Sequence, residues 1–269
     1  MAPQNGKLCV RCSEDLGVFS FISDIARQGP SDQLCQPCRL AAPPFERAVA
    51  YGGYEGALRG LIHKLKYDGM TVIAEKLGSF LAQAILKIES AAPRHLLAVP
   101  VPLHPAKLRA RGFNHAELLA RAAARSLRTL RPDWGIHLAT RVLARRRATQ
   151  SQAGLSPRQR RLNLRGAFFV PFPERIADQD VLLIDDIYTT GATARTCSQV
   201  LRRAGAASVW VATVARPQRE AFRVMQIDAP EIPMHEEAAF WSPGKLKDQP
   251  YGEPVKTGWQ IPRGNNVSS

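Results

Sequence analysis

The residues best suited to chemistry are two adjacent carboxylates, Asp185 and Asp186, which follow a short apolar segment at residues 181–184. We refer to them as the acid pair. The apolar segment is too short for an amphipathic helix, and its pattern is typical of a strand buried on both faces of a parallel sheet. Open α/β sheets bind ligands at the carboxyl ends of such strands. The acid pair is therefore expected at the ligand-binding edge of a sheet.

The loop after the acid pair is suited to hold a phosphate group. It offers hydroxyls, small side chains and backbone N–H groups just before a helix predicted to begin at Ala194. This phosphate loop consists of Thr189, Thr190, Gly191, Ala192 and Thr193. A helix N-terminus attracts anions because its first N–H groups point outward and the helix dipole is positive there. Since carboxylates accept hydrogen bonds from a diol, the stretch predicts a pocket for a ribose that carries a phosphate.

Two other interpretations of this stretch are less favoured. An apolar strand ending in two acids also holds magnesium beside an ATP phosphate loop, but the sequence contains no G-x-x-x-x-G-K-[ST] motif. In a purely structural turn, Asp186 and Thr189 would cap the helix. That arrangement leaves two adjacent carboxylates repelling each other without a purpose.

Two arginine-rich segments accompany the acid pair. The first, residues 107–114, is predicted as a basic loop after a strand, and its candidate ligands are Lys107, Arg109, Arg111 and Gly112. The second, residues 141–165, contains no acid and is predicted as a mobile hairpin or lid. Guanidinium groups bind phosphate oxygens bidentately, so both segments are candidates for a diphosphate site. A solvated basic face or a nucleic-acid surface is the alternative.

Four cysteines form two C-x-x-C pairs near the N-terminus: Cys9, Cys12, Cys35 and Cys38. This spacing suits a tetrahedral zinc site, and four thiolates would leave no position open for catalysis. A segment of about forty residues buries little core unaided, and a bound metal would supply the missing stability. Redox disulfides and a degenerate knuckle are the alternatives, and a cytoplasmic setting disfavours stable disulfides.

The elements that must position these residues alternate between strand and helix. Strands are predicted at residues 47–51, 96–102, 165–172, 181–184 and 208–215. Helices are predicted at residues 54–66, 72–88, 115–130 and 194–204. Alternation of this kind indicates βαβ units with right-handed crossovers. The predicted fold class is therefore α/β with a parallel sheet.

The whole chain adds three bounds. Its net charge of +14 favours a polyanionic partner, either nucleic acid or several phosphates, although free use of arginine would give the same charge. The hydrophobic fraction of 45% is ordinary for a globular protein, and no apolar run has the length of a membrane span. Residues 1–7 lack the pattern of a secretory signal. We expect a cytoplasmic protein that does not insert into membranes.

Taken in order, these motifs resemble the ComF family, competence protein F and its relatives. The 181–193 stretch alone resembles the motif with which type I phosphoribosyltransferases bind 5-phosphoribosyl 1-diphosphate (PRPP). The other shared motifs are the two C-x-x-C pairs, residues 61–69, Pro100-Val101-Pro102-Leu103, residues 109–116, and Thr149-x-x-Gln152 before Asn163-x-x-Gly166-Ala167-Phe168. The resemblance covers about residues 8–216, and His115 stands where the family usually has glutamine.

The resemblance implies a type I phosphoribosyltransferase fold with a small zinc-binding module. The zinc-binding N-terminal module would span residues 1–42, and the phosphoribosyltransferase domain residues 45–216. Residues 217–269 match nothing in the family. Their scattered prolines and low apolar density predict a poorly ordered extension.

By the same resemblance, Asp185 and Asp186 bind the ribose hydroxyls of PRPP and the phosphate loop holds its 5-phosphate. The implied activity is Mg²⁺-dependent transfer of ribose 5-phosphate to an acceptor, with diphosphate bound by Mg²⁺ and the basic segments. Lys66, Tyr67 and His104 are general-base candidates by position only. The alternative is a non-catalytic protein that keeps the PRPP pocket and binds single-stranded DNA with DNA-uptake proteins. The sequence is compatible with an oligomer.

Overall fold

Five parallel strands form the central sheet of the protein. The computed structural model describes residues 8–16, 33–146, 164 and 166–217, all within one compact unit, Met1–Ile227. The predicted C-terminal extension from residue 218 onward lies outside these residues. So does most of the second basic segment, residues 147–163 and 165.

The described strands and helices follow one another in the predicted alternating order. The strands are β1 (Ala48–Gly53), β2 (His95–Pro100), β3 (Gly135–Leu138), β4 (Ala144–Arg145), β5 (Phe168–Phe169), β6 (Asp180–Ile187) and β7 (Ser208–Arg216). The helices are α1 (Gln36–Leu40), α2 (Gly56–Tyr67), α3 (Ile73–Leu86), α4 (Pro105–Arg111), α5 (His115–Leu130) and α6 (Ala192–Arg203). Within the described ranges, none of the helices combines the length and apolar character that crossing a bilayer requires.

The sheet has the order β1-β7-β6-β2-β3, and all of its neighbouring strands are parallel. Strand β6 lies at its centre, with Ile184 paired to Pro100 on one side and Ala212 on the other. The residues 181–184 are fully buried, as predicted for an inner strand. The predicted α/β class with a parallel sheet is confirmed. The strand is longer than predicted and includes the acid pair.

Different elements cover the two faces of the sheet. Helices α2, α3 and α5 pack on the face that carries Leu182 and Ile184. Helices α3 and α5 approach closely because Gly78 has no Cβ, and a Cβ there would collide with Ala122. The opposite face, which carries Leu183, is covered by α6 and the N-terminal module. The central strand is thereby shielded on both sides.

The prediction of a basic loop at residues 107–114 is wrong in part, since residues 107–111 belong to the helix α4. Pro105 occupies the first turn of this helix, where a missing N–H does no harm, and His104 caps it. Gly112 ends the helix with φ of 82°, a left-handed conformation that favours glycine. Only about two turns form, too few to give a clear apolar periodicity in the sequence.

Two strand predictions also need correction. Of the predicted strand at residues 165–172, the described part, residues 166–172, forms only β5, which pairs antiparallel with β4 outside the parallel sheet. Pro171 and Pro173 follow it within four residues and cannot donate to a longer ladder. The edge strand β3 was not predicted, because its four residues include a glycine and a histidine and form no apolar run.

Candidate functional site

The acid pair lies at the carboxyl edge of the sheet, where the direction of the crossovers reverses. After β2 the chain leads outward to β3 through α5, whereas after β6 it leads the other way to β7 through α6. These two helices cover opposite faces of the sheet. At such a reversal a crevice opens between the carboxyl ends of the two strands, and open α/β sheets bind ligands there.

The two carboxylates meet different surroundings, because successive side chains of a strand point to opposite faces. Asp185 lines a small pocket with the phosphate loop. Asp186 faces α2 and α5, where it contacts Lys66 and His115. The side-chain atoms of Asp185, Asp186 and His115 that could bind a metal nevertheless lie within 4.8 Å of one another. The three side chains therefore form one cluster at the edge of β6.

Asp186 is the negative charge of this cluster. Its side chain is buried, its Oδ2 forms an ion pair with the Nζ of Lys66, and its Oδ1 lies 3.6 Å from Nε2 of His115. Burial opposes ionisation, but Lys66 and His115 outweigh it and lower the pKa of Asp186. The same ion pair outweighs the burial of Lys66 and raises its pKa. Both groups therefore stay charged at neutral pH.

Asp185 has the opposite tendency. Burial and the neighbouring charge of Asp186 raise the pKa of Asp185 well above its ordinary value. Its Oδ1 accepts a hydrogen bond from the backbone N–H of Asp186 at 2.9 Å, which partly offsets this effect. The charged form of such a carboxylate is stabilised by any hydroxyl donor or cation that approaches it. Asp185 is thus the member of the acid pair that is available to a ligand.

The phosphate loop turns from β6 into α6 at Gly191. The φ of this residue is 72°, and a Cβ on it would collide with the hydroxyl of Tyr188, so glycine is needed for two reasons. Helix α6 begins at Ala192, two residues before the predicted start. Asp185 and four residues of the loop line one pocket: Thr189, Gly191, Ala192 and Thr193. Thr190, also predicted, is exposed and does not line it.

This pocket is small in the described conformation. It holds about 10 Å³, which is room for about one water molecule. A phosphate group is larger than this volume, so it would fit only if the pocket widened. The start of α6 lines this pocket with Ala192 and Thr193.

A second, open cleft of about 400 Å³ adjoins the acid pair on the α2 and α4 side. We call it the cationic cleft, and its lining residues are Lys66, Tyr67, Gly69, Lys107, Ala110, Arg111 and Phe113. Three of these carry positive charge. Burial and the nearby cations Arg145, Arg111 and Lys66 lower the pKa of Lys107. Such crowding of positive charge is typical of a site that binds a polyanion.

Helix α4 decides which of the predicted basic residues reach the cleft. Lys107 and Arg111 are four positions apart, so they lie on the same face of the helix and both line the cleft. Arg109 is two positions from each and is exposed without lining the cleft. Gly112 does not line the cleft either, and its role is to end the helix.

His115 is a site residue that the sequence marked only by its departure from the family's glutamine. Arg111 Nη1 lies 3.0 Å from His115 Nδ1. A guanidinium can only donate, so Nδ1 accepts and the ring proton resides on Nε2, towards Asp186. Asn114 fixes this geometry, since its Oδ1 caps α5 at Ala116 and its Nδ2 donates to the Val101 carbonyl at 3.0 Å. The start of α5 is thereby tied to the end of β2.

Arg145 brings the second basic segment to the site. It lies on β4, its guanidinium is 5.2 Å from the centre of the Phe168 ring, and Asp185 is among the charges that act on it. Burial lowers the pKa of Arg145, in part offset by Cys197 and Asp185. Strand β4, which lies within the predicted hairpin, pairs with β5, which lies beyond its predicted end at residue 165. The residues between them, 147–163 and 165, lie outside the described part of the chain.

The three general-base candidates have different surroundings. Lys66 is held as a cation by Asp186 and so lacks a free electron pair. The Nδ1 of His104 accepts from the Ala106 N–H at 3.2 Å and caps α4. Tyr67 is 66% exposed in the cationic cleft, with the Arg111 guanidinium 5.5 Å from its ring centre. Lys66 is thus committed to an ion pair and His104 to a helix cap, whereas Tyr67 presents its side chain to the open cleft.

The four cysteines of the N-terminal module form one cluster. They are 1% to 6% exposed, and their four sulfur atoms all lie within 4.8 Å of one another. Cys12 and Cys35 sulfurs are 3.5 Å apart, much longer than a disulfide bond, and all described cysteines are free thiols. Burial raises the pKa of Cys35 to about 12, and a bound cation would reverse this by stabilising thiolates. The cluster could hold a zinc ion.

Several known proteins are similar in sequence to this chain. The DNA utilization protein YhgH of Escherichia coli strain K12 is 34% identical over 184 residues, which are 68% of this chain and 77% of that protein. Competence protein F of Haemophilus influenzae is 30% identical over 224 residues, 79% of this chain and 91% of that protein. Competence protein ComFC of Streptococcus pneumoniae is 30% identical over 186 residues, 68% and 74% of the two chains.

Two further comparisons add little. No protein-family model matches the chain. A hypoxanthine phosphoribosyltransferase from Staphylococcus aureus resembles the fold with a TM-score of 0.32 and 14% identity, over 53% of this chain and 64% of that one. A likeness of this size supports no conclusion about fold or function.

Proposed function

The chain belongs to the ComF family, and on that premise we propose that it is a phosphoribosyltransferase-like protein that binds PRPP or ribose 5-phosphate with Mg²⁺. The observation that carries this proposal is that Asp185 lines the same pocket as Gly191 and Ala192, at the start of α6. A carboxylate beside a helix N-terminus offers acceptors for ribose hydroxyls and donors for a phosphate. A phosphorylated sugar is the ligand that needs both.

Within this proposal the two acids have separate roles. Asp185 accepts hydrogen bonds from the ribose hydroxyls. Asp186 keeps Lys66 and His115 in place and adds negative charge beside the ribose. The 5-phosphate receives N–H donors from the first turn of α6 and hydroxyls from Thr189 and Thr193, after the loop has opened.

The diphosphate would occupy the cationic cleft. Lys107 and Arg111 face it from α4, and Lys66 faces it from α2. Carboxylate oxygens of the acid pair fit a magnesium ion, which takes one or two protein carboxylates and completes its shell with water and substrate phosphates. Bound Mg²⁺ would neutralise part of the diphosphate charge.

Transfer would then proceed at the anomeric carbon of the ribose. The bond from this carbon to the diphosphate oxygen breaks, and its electron pair leaves with the diphosphate. A nucleophilic atom of the acceptor forms the new bond, and its proton passes to water. Positive charge that develops on the sugar is stabilised by the carboxylates, and Lys107 and Arg111 stabilise the leaving group.

The second candidate function is binding of single-stranded DNA. The relatives are named as DNA utilization and competence proteins, and the observation in favour is the exposed Tyr67 ring beside Arg111 in the cationic cleft. Aromatic rings stack on bases, and cations contact the backbone phosphates. In this alternative the chain acts with DNA-uptake proteins and keeps the PRPP pocket without turnover.

We further propose that the cysteine cluster holds a structural zinc ion. It would stabilise the N-terminal module, residues 1–42, next to a phosphoribosyl-binding domain at residues 45–216. The observation in favour is four buried sulfurs within reach of one cation. A cytoplasmic location, which we also propose, would keep these thiols reduced.

The enzyme proposal is tested by incubating the purified protein with PRPP and Mg²⁺ and following diphosphate release across a panel of bases and amines. Acceptor-dependent release that is lost in Asp185→Asn supports the proposal. Asp133→Asn is the matched control, because Asp133 is exposed and precedes β3 at the opposite edge of the sheet. Calorimetry with ribose 5-phosphate separates binding from turnover, and absence of binding to both sugars would overturn the proposal.

The DNA alternative is tested by a salt titration of the affinity for an oligothymidylate. The slope of log affinity against log salt is about −0.7 for each phosphate contact with a single strand. Lys107→Ala and Arg111→Ala should each reduce the slope by about that amount if DNA enters the cationic cleft. Unchanged slopes would place DNA elsewhere, and competition by PRPP would show that both ligands share the cleft.

A further inference from the structure

Arg195 connects the phosphate loop with the cysteine cluster. It lies in the first turn of α6, and its backbone N–H donates to the Gly191 carbonyl at 2.8 Å. Its guanidinium reaches out of the helix to the N-terminal module. Nη1 donates to the Ala41 carbonyl at 3.1 Å, and Nη2 lies 3.8 Å from the sulfur of Cys38. The end of the loop is thus attached to the last cysteine of the cluster.

Arg216 and Tyr188 form a second connection at the other end of the loop. Arg216, at the end of β7, is buried, donates to the Cys12 carbonyl and forms an ion pair with Glu14. The same guanidinium lies 4.6 Å from the centre of the Tyr188 ring. Tyr188 is also buried, and Phe45 packs edge-on against it with ring centres 6.4 Å apart. The residue that precedes the loop is therefore packed between Phe45 and Arg216, and Arg216 in turn contacts Cys12 and Glu14 of the module.

The hydroxyl end of Tyr188 lies against Gly191, at the turn into α6. Both ends of the phosphate loop are consequently linked to the module, one near each C-x-x-C pair: directly through Arg195 at one end, and through Arg216 at the other. The Cys12 side acts through Arg216 and Tyr188, and the Cys38 side through Arg195. Energetic coupling between two sites can be carried by a contiguous set of packed side chains of this kind.

A cation in the cluster would hold these contacts in place for a geometric reason. Four ligands around one ion fix the positions of Cys12 and Cys38 relative to each other. These two cysteines are the ones that contact Arg216 and Arg195. The loop would then be held in one geometry, which lowers the entropy lost when an anion binds.

We propose that the metal-loaded N-terminal module positions the phosphate loop, and that Arg195 and Arg216 are the positioning residues through which it does so. The inference rests on the proposed phosphoribosyl and zinc sites. It adds that occupancy of the two sites is coupled: zinc raises the affinity for the phosphate ligand, and the phosphate ligand raises the affinity for zinc by the same factor.

The test is a thermodynamic cycle with ribose 5-phosphate as the probe. Its affinity is measured by calorimetry in zinc-loaded and chelator-treated protein, and the zinc affinity is measured with a competing chromophoric chelator, with and without the probe. We expect both ratios to be about tenfold and equal. In Arg195→Ala both ratios should fall well below tenfold, because only the Arg216 connection remains, whereas Arg203→Ala, an exposed residue at the end of the same helix, should keep them.

Hydrogen exchange of the segment 188–195 keeps the inference testable apart from ligand binding. Chelation should increase exchange there in the wild type and in Arg203→Ala, and Arg195→Ala should show fast exchange even with zinc.

If ribose 5-phosphate binds but chelation changes neither its affinity nor this exchange, the positioning role is wrong and the proposed function stands. If no sugar phosphate binds but exchange responds to zinc, the proposed function fails and the positioning role stands. Should chelation unfold the protein, equal affinity and exchange of the two zinc-loaded variants would overturn the role.

Discussion

Lys66 in the last turn of α2 forms a buried ion pair with Asp186 on β6. The contact ties the helix that borders the cationic cleft to the strand that carries the acid pair. It also commits one of the two adjacent acids to a structural partner, and it leaves Asp185 as the one that faces the phosphate loop. The two adjacent carboxylates thus have different roles at this site.

The ion pair predicts a strong effect of removing one partner. Lys66→Met should lower the free energy of unfolding by about 3 kcal/mol, because it leaves the charge of Asp186 buried without its cation. The measurement is urea unfolding at neutral pH. Replacing both partners, with Lys66→Met and Asp186→Leu, should recover much of the loss. Equal losses in single and double variants would contradict the ion pair.

The lowered pKa of Asp186 predicts the sign of a pH dependence. In an unfolded chain the carboxyl pKa is about 4. Its lowered value in the fold therefore contributes stability at pH above about 4, and this contribution is lost as the pH falls through the folded value. Asp186→Asn should flatten the acid limb of the stability profile, and Asp133→Asn should leave it unchanged.

Asp185 predicts the opposite stability effect. Its raised pKa means that the fold disfavours its charged form, so ionisation above about pH 4 destabilises the protein. Asp185→Asn should raise the free energy of unfolding at pH 7 by about 1 kcal/mol while it weakens ribose 5-phosphate binding. Thermal unfolding and calorimetry on one preparation test both effects. A loss of stability in this variant would show that Asp185 is paired in the free protein.

Gly191 predicts a steric effect that a second glycine controls. Gly191→Ala should destabilise the protein by about 2 kcal/mol or more, because it adds left-handed strain and a clash with Tyr188. Gly166→Ala has a similar φ of 67° but no neighbour within 4 Å of the added Cβ, so it reports the strain alone. Only Gly191→Ala should also weaken phosphate binding. The same loss in both variants would rule out the clash.

The cysteine cluster predicts one metal per chain. Elemental analysis should find about one zinc per protein, and Cys9→Ser should abolish it. Cys197→Ser is the control, because Cys197 is buried but does not belong to the group of four cysteines that could share a metal ion. Chelation should lower the melting temperature of the wild type and of Cys197→Ser, and unchanged zinc content in Cys9→Ser would contradict the site.

Local patterns were sufficient where one short segment determines the outcome. The uniform burial of residues 181–184 follows from their apolar run, and the helix His115–Leu130 follows from its periodicity. The prediction failed for α4 and β3, because a two-turn helix and a four-residue edge strand carry too few residues for a periodic signal. The failure had a consequence at the site, since the turn of α4 separates Arg109 from the cleft that Lys107 and Arg111 line.

The sequence by itself determined the chemical inventory of this protein: adjacent acids at a strand end, a glycine turn before a helix, and paired cysteines. These are local features, and their geometry depends on residues a few positions apart. Only the tertiary structure decided the partners. Lys66 and Asp186 meet across the sheet edge, Arg195 reaches Cys38 over 157 positions, and Arg216 reaches Cys12 over 204. Such contacts depend on how whole elements pack, and no spacing within a segment encodes them.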